Sequence, residues 1–385
     1  TNVFAPGNKW GIFPAASAAW RISDESFMEW SKDWLSTLKM RASYGKSGNA
    51  RVGSYWRQTY SPVTSTKNLY YQNEIGQSSL QPAKRLRNEN LTWESKFSTN
   101  VGFDLGFFSN RINLTFDYYN DVTKDLIMEV QLPSNAGYSS QYQNLGQTTN
   151  RGVELSLNAN LVQTKDFYLD FNFNIAFNKN KVDALYGANG DEMILSGGGT
   201  ETGSDNYRVF VGQEVGLMYG YVSDGMYSFD DFTFNPTTKK WDIVTTKDEN
   251  GVPIVTDCSG VLSRAGGYFG PGHMKLKDLN GDGVIDADND RKVIGHALPK
   301  HTGGFSFNAG WKGFDVTAMF NWSYGNDILN INKVDYTSYT GSKRYQNLSN
   351  DMRLANRFTT IDPVTGLNIL SLIHISEPTR RVVIS

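Results

Sequence analysis

The sequence is short of three things. It contains one cysteine, Cys258, among 385 residues, so an intrachain disulfide is excluded and a cysteine-based zinc site is disfavoured. It has no unbroken apolar run near the ~20 residues that a transmembrane helix needs. Its formal net charge is only -2, which gives no sign of nucleic acid as a partner. The fold class is therefore indicated by the local order of apolar and polar residues.

What the sequence does contain is an alternation of apolar and polar residues. Residues 167–178 read FYLDFNFNIAFN, with Phe, Leu or Ile at every odd position and mostly polar residues at the even ones. Consecutive side chains of a strand point to opposite faces of a sheet, so one face is mostly aromatic and the other is a row of amides. Such a strand is suited to separate lipid from a wet interior.

The same period of two recurs along the chain. Most of the alternating stretches reach the ~9–11 residues that a spanning strand needs. Thr99 is a polar exception on an apolar face, and Met319 is an apolar exception on a polar face. The clear stretches are 97–107, 111–119, 152–162, 167–178, 305–311 and 314–323, and two that fit less cleanly are 12–22 and 36–46. The pattern therefore predicts eight strands.

These strands predict an all-β fold, an antiparallel transmembrane β-barrel. Aromatic residues make up 13% of the chain, and membrane barrels place such residues in girdles at the two membrane–water interfaces. The mean hydropathy of -0.45 is compatible with a barrel, because alternation hides the membrane signal. A large soluble β-sandwich or β-helix also alternates, and the pattern alone leaves that alternative open.

Connections between the predicted strands alternate in length. Short turns are predicted at 109–110, 164–166 and 312–313, and a connection at 23–35 contains the amphipathic piece ESFMEW. Long polar connections are predicted at 47–90, 123–150 and 179–302. Membrane barrels of this class have short periplasmic turns and long extracellular loops. We therefore expect the three long connections to be extracellular.

Six segments, in this order, carry a specific resemblance. They are LKMRASYGKSGN (38–49), NENLTWESKFSTNVGFDLGFF (88–108), NRGVELSL (150–157), VGQEVGLMYGYVSDGMY (211–227), KLKDLNGDGVID (275–286) and VIGHALPKHTGGFSFNAGWKGFDVTAMFNWSYGND (293–327). Together they resemble the SusC-like branch of TonB-dependent outer-membrane transporters. The resemblance covers about residues 1–369, and its strength lies in the order of the six segments.

The resemblance implies a location, a partner set and an activity. It implies a partial, open piece of a large plugged barrel in the cell outer membrane, surrounded by outer-membrane lipid. Family members import glycans or oligopeptides into the periplasm, with a SusD-like surface lipoprotein as lid and energy from the TonB complex. They are not enzymes. The chain shows neither a plug pattern nor a TonB box, so no residues of those parts are assigned.

One local motif has its own chemistry, the acidic segment DLNGDGVIDADND at 278–290. Its oxygen-bearing residues alternate around Gly283 in the layout of an EF-hand-type calcium loop, with Asn289 in place of the usual final Glu. The alternative is a surface loop rich in Asx turns whose acids are solvated. The predicted Ca²⁺ ligands are Asp278, Asn280, Asp282, Val284 through its carbonyl, Asp286 and Asp290.

A second class of function stays open at this level. A secreted calcium-binding β-sandwich, acting as an adhesin or glycan-binding module, has the same alternation and the same acidic loop; a calcium-dependent glycoside hydrolase ranks third. Loop aromatics are equally ambiguous, because they suit either stacking on sugar rings or packing the loop against itself. They are Tyr219, Tyr221, Tyr227, Phe229 and Phe232.

The last residues differ in kind from the rest. Residues 370–380 read LSLIHISEPTR, which matches codon for codon an in-frame translation of a transposase sequencing adapter. A closing barrel strand usually alternates and ends in an aromatic residue, whereas this chain ends in VVIS. We therefore expect residues 370–385 to be adapter-derived and the natural protein to continue beyond Ile369.

Overall fold

The fold is described from a computed structural model. The structure describes residues 4–51, 85–185, 206–238, 240–247, 249, 251, 254–262, 269–336 and 349–350, with the short strands Tyr60–Pro62, Tyr70–Gln72, Ile75–Gln77, Leu80–Pro82, Glu192–Leu195 and Val383–Ile384. The predicted adapter-derived segment 370–380 lies outside them. The chain divides into two compact units, the strand unit (1–193, 209–215 and 299–325) and the loop unit (194–208, 216–298 and 326–385).

The strand unit is built on one sheet of eight strands that follow one another in chain order. Each strand is antiparallel to its neighbours. The strands are β1 Ala15–Arg21, β2 Leu35–Asn49, β3 Glu94–Phe107, β4 Ile112–Lys124, β5 Gln147–Gln163, β6 Phe167–Ala184, β7 His301–Trp311 and β8 Phe314–Tyr324. Each predicted alternating stretch overlaps one of them, so the prediction of eight antiparallel strands is confirmed.

The register of the sheet confirms the two predicted faces. Residues directly opposite each other on neighbouring strands point to the same side of a sheet. One such row crosses all eight strands on the apolar face: Trp20, Met40, Phe103, Phe116, Leu155, Ile175, Gly303 and Trp322. A row on the other face reads Arg21, Lys39, Asp104, Thr115, Ser156, Asn174, Gly304 and Asn321.

Short and long connections alternate as predicted. Tight turns join β3 to β4, β5 to β6 and β7 to β8; Phe108, Ser109 and Asn110 in the first have positive φ, as do Lys312 and Gly313 in the last. The 3₁₀ helices Ile22–Asp24 and Ser26–Ser31 lie between β1 and β2, where the amphipathic piece was predicted. The three long connections leave the opposite ends of the strands.

The connections of the strand unit carry small sheets of their own. Ile127–Gln131 pairs antiparallel with Ser140–Asn144, which pairs with Arg85–Leu86, and a 3₁₀ helix at Ser134–Ala136 joins the first two. Arg85 Nε donates to Glu129 Oε1 over 2.7 Å, and this bond holds the pKa of Glu129 below its usual value. Tyr60–Pro62 pairs with Leu80–Pro82, and Tyr70–Gln72 with Ile75–Gln77.

The loop unit has short strands around a separate core. Leu217–Tyr221 pairs with Arg291–His296 and with the start of Tyr207–Phe210; the other pairs are Ser223–Met226 with Met274–Leu276, Phe232–Asn235 with Lys240–Ile243, and Ile328–Leu329 with Val383–Ile384. Its helices are α1, Ser259–Leu262, and α2, Ile331–Tyr336. None of the helices in the described part of the chain is long and apolar enough to cross a membrane.

Candidate functional site

The apolar face of the sheet has the height of a membrane. On β6 the apolar residues run from Phe167 to Phe177, and Lys179 follows on the same side. At about 3.4 Å per residue this run is about 34 Å long, and a strand tilted by about 45° covers about 24 Å of depth. The apolar band of a membrane barrel is about 25 Å tall. The strand therefore carries enough apolar length to cross the hydrocarbon layer once.

Exposed aromatic side chains lie at both ends of this band. At the short-turn end, Trp34 stacks on Phe107 with ring centroids 6.1 Å apart, and Trp30 lies 6.0 Å from Trp34. The other exposed aromatics of that end include Trp20, Phe27, Phe108, Trp311 and Phe314, and those of the long-connection end include Tyr44, Tyr118, Phe177 and Tyr324. Two aromatic belts around an apolar band are typical of strands that cross a bilayer.

The opposite face is polar and its side chains bond to one another. Arg41 binds Asp104 through two bonds, Nε to Oδ2 at 2.9 Å and Nη2 to Oδ1 at 3.0 Å, and its Nη2 also donates to Asp117 Oδ2 at 3.1 Å. Asn172 donates to the Ser306 hydroxyl at 3.2 Å. These groups are half-buried on one face of a single sheet. A face with paired charges and amides suits the wet interior of a barrel.

The acidic segment 278–290 folds into a loop held by its own backbone. The two carboxylate oxygens of Asp278 accept bonds from the amides of Gly281 and Gly283, both at 2.6 Å. Asp282 accepts from the amide of Val284 at 2.8 Å. Asp286 accepts hydrogen bonds from the backbone amides of Asp288 and Asn289 and from the Asn289 side chain. These bonds, the one from the Asn289 backbone amide above all, lower the pKa of Asp286. The loop is therefore built of Asx turns, in which side-chain oxygens accept from amides two or three residues further on.

The predicted calcium ligands lie close in sequence, within the single loop 278–290. Within the described ranges, no group of three or more His, Cys, Asp or Glu side chains is placed to hold a metal ion. Asp290 is fully buried, and its two oxygens accept bonds from the amides of Leu279 and Asp286, both at 2.8 Å. Each carboxylate oxygen has a second lone pair, so these bonds do not exhaust the acceptors. Calcium binding stays a prediction.

Two of the five loop aromatics are buried, and the other three are half-buried. Tyr227 and Phe232 are buried with Cys258, Phe269, Leu276 and Ile285 in the core of the loop unit. The Tyr227 hydroxyl bonds to the Thr256 carbonyl and to Cys258 Sγ, the latter at 3.0 Å. Burial raises the pKa of both Tyr227 and Cys258. For these two aromatics, packing of the loop against itself is the observed role.

Comparison with known proteins decides the family. The family model described as "TonB dependent receptor-like, beta-barrel" matches residues 1–363. The chain belongs to this family. TonB-dependent receptor P39 of Formosa agariphila is 34% identical over 333 residues, which is 84% of this chain and 30% of that protein. TonB-dependent receptor SusC of Bacteroides thetaiotaomicron is 27% identical over 356 residues, 90% of this chain and 31% of that protein.

Solved structures agree on the fold. The RagAB peptide importer in its closed-closed state superposes with a TM-score of 0.64 at 23% identity, covering 88% of this chain and 32% of the matched one. The open-open state gives a TM-score of 0.61 at 22% identity. The chain spans about a third of the length of the relatives it matches. As a member of the TonB-dependent receptors, it contributes antiparallel strands to a membrane barrel.

Proposed function

We propose that this chain forms part of the wall of an outer-membrane transporter that imports glycans or oligopeptides with energy from TonB. The two-faced sheet carries the proposal, because an apolar band with aromatic belts on one side and bonded polar groups on the other requires lipid and water on opposite sides. Membership of the TonB-dependent receptor family supports the same reading. A soluble sandwich does not require two aromatic belts at membrane spacing.

The substrate class and the lid rest on relatives. One matching protein is named SusC and the solved neighbours are described as a peptide importer. A wall rich in amides and paired charges suits either a glycan or a peptide, since both offer many donors and acceptors. A SusD-like surface lipoprotein is proposed as the lid because the chain resembles SusC-like transporters and matches the protein named SusC.

Uptake by the full-length protein tests this function. Cells that express it with a pulldown tag are given fluorescent oligosaccharides and fluorescent peptides, and periplasmic signal is compared with and without an intact TonB complex. We expect TonB-dependent signal for one of the two classes and co-purification of a surface lipoprotein. Equal signal without TonB contradicts the proposal.

The sidedness of the connections gives a separate prediction. A cysteine at Thr237, in the turn of the Phe232–Asn235 hairpin, should be labelled on intact cells by an impermeant maleimide, whereas one at Ser109 in the β3–β4 turn should react only after lysis. Native Cys258 is fully buried, so its background labelling is low. Labelling of Ser109→Cys but not Thr237→Cys on intact cells would reverse the topology.

Calcium is tested independently of transport. We expect the full-length protein to bind Ca²⁺ weakly, at about 10⁻⁴–10⁻³ M, because extracellular loops of this type bind in that range. Calorimetry should show binding heat that is lost in the double variant Asp278→Ala and Asp282→Ala and kept in Asp242→Ala, an exposed acid outside the loop. An identical isotherm in the first variant would leave the loop as an Asx-turn structure only.

A further inference from the structure

A repeated three-residue arrangement crosses the polar face of the sheet. In each case a long polar residue, a glycine and a short acceptor residue lie directly opposite one another on three successive strands. The triplets are Arg41, Gly102 and Asp117 on β2 to β4; Tyr119, Gly152 and Asn178 on β4 to β6; and Tyr168, Gly310 and Asp315 on β6 to β8.

The long side chain of each triplet passes over the glycine and bonds to the third residue. Strands two apart in a sheet are separated by about 9.6 Å, so only a long side chain reaches across the strand between them. The bonds are Arg41 Nη2 to Asp117 Oδ2 at 3.1 Å, Tyr119 Oη to Asn178 Oδ1 at 3.0 Å and Tyr168 Oη to Asp315 Oδ1 at 2.9 Å. Three strands are thereby joined by one side chain.

The middle residue has to be glycine because of what lies above it. A Cβ at Gly310 would overlap the ring of Tyr168, with Cδ1 and Cζ both 2.7 Å away. A Cβ at Gly102 would lie 2.7 Å from Arg41 Nη2 and would overlap Asp117. Neither glycine has a positive φ, so the backbone itself does not call for glycine. At these two positions the neighbouring side chains are the reason; at Gly152 a Cβ would overlap both the Tyr119 ring and the Phe177 carbonyl oxygen.

We propose that these triplets are cross-strand bridges that position the polar wall of the barrel. Each bridge fixes the register of three strands and holds a long polar side chain flat against the sheet instead of projecting from it. The part of the proposal that concerns the lumen rests on the proposed function, since it takes the polar face as the lumen wall. In the lumen, the bridges keep these side chains from projecting into the path of the cargo and leave a polar surface along that path.

A double-mutant cycle at Tyr168 and Gly310 tests the bridge in the full-length protein. Gly310→Ala should lower the temperature at which the heat-modifiable band is lost, because the new Cβ displaces the Tyr168 ring. In a Tyr168→Ala background the same substitution should cause little further loss, because the ring is gone. In a Tyr168→Phe background it should remain harmful, since the ring is kept. Additive effects in all three backgrounds would overturn the bridge.

Two controls keep the outcome decisive. Gly45 lies on the same face and is not covered by a long side chain; a Cβ there would meet the Ala15 Cβ at 3.1 Å, which a small shift relieves, so Gly45→Ala should lower the melting temperature less than Gly310→Ala. If Gly310→Ala does not assemble, the cycle of Arg41→Ala and Gly102→Ala is measured in an Asp117→Ala background, because a Cβ at Gly102 would also overlap Asp117. The hydrogen-exchange rates of the β6 to β8 amides, measured on the full-length protein in detergent, give a second readout of the same double-mutant cycle. The two proposals can therefore fail separately. If the bridge proposal is wrong, the effects of the Tyr168 and Gly310 substitutions are additive; if the transporter proposal is wrong, uptake is absent although those effects remain non-additive.

Discussion

Replacing Phe173 by arginine will impair assembly of the full-length barrel far more than replacing its neighbour Asn174. Phe173 lies near the middle of the apolar run of β6, between Leu157 and Phe305 on the adjoining strands. Asn174 points to the other face, between Ser156 and Gly304. An arginine on the lipid face near the bilayer midplane costs about 2–4 kcal/mol, whereas one on a wet wall keeps its hydration.

The measurement is the fraction of protein that reaches the outer membrane as a heat-modifiable band. Phe173→Arg should lose most of that band, and Asn174→Arg should keep it. Phe173→Leu is the matched control, since it stays apolar on the same face. Equal loss for both arginine variants, or greater loss for Asn174→Arg, would mean that the faces are assigned wrongly.

Replacing Tyr227 by alanine will unfold the core of the loop unit. The Tyr227 ring is fully buried, with the rings of Phe232 and Phe269 each 5.3 Å away. Truncating a large buried aromatic to alanine costs about 3–5 kcal/mol, which is much of the stability of a small core. Tyr227→Phe keeps the ring and should cost about 1–3 kcal/mol, because the Thr256 carbonyl loses its donor.

Cys258 reports that unfolding directly. Its thiol is buried against Tyr227, and burial raises its pKa, so it should react very slowly with an impermeant maleimide at neutral pH. Mass spectrometry of the Cys258 peptide should show fast labelling in Tyr227→Ala and slow labelling in Phe234→Ala, whose side chain is 48% exposed. Slow labelling in Tyr227→Ala would show that the core survives without its central ring.

The eight strands were predictable because their signal is local. A strand between lipid and water must change polarity at every residue, so the period of two is visible in any stretch of the sequence that crosses the membrane. The two exceptions also lie on the faces that the alternation predicts, since Thr99 shares the face of Val101 and Met319 shares that of Asn321. The short turns were visible for the same reason, as breaks between two alternating runs.

The strand ends were harder to predict than the strands. β5 begins at Gln147 and β6 ends at Ala184, several residues beyond the stretches 152–162 and 167–178. Most of the extra residues are polar on both faces, with Val182 and Ala184 as exceptions; Thr149, for example, pairs with Lys181. Outside the hydrocarbon layer neither face has to be apolar, so the alternation stops although the pairing continues.

Two features depend on contacts that sequence spacing does not reveal. The cross-strand bridges need the register of three strands, and Tyr168 and Asp315 are 147 positions apart in the chain. The aromatics of the loop unit look alike in sequence, and only the fold separates buried Tyr227 from exposed Phe234. The sequence does contain a signal for the bridges, because glycines recur at polar-face positions of several strands. That signal can be interpreted only when the register of the sheet is known.

Accessibility along β6 tests the central claim most directly. Single nitroxide labels at positions 167 to 178 of the full-length protein in bilayers are exposed in turn to oxygen, which concentrates in lipid, and to a water-soluble nickel chelate. The two-faced wall predicts oxygen maxima at the odd positions and nickel maxima at the even ones, so that the two profiles are out of phase over the whole run. Maxima for both reagents at the same residues, or no period of two, would contradict a strand that separates lipid from a wet lumen.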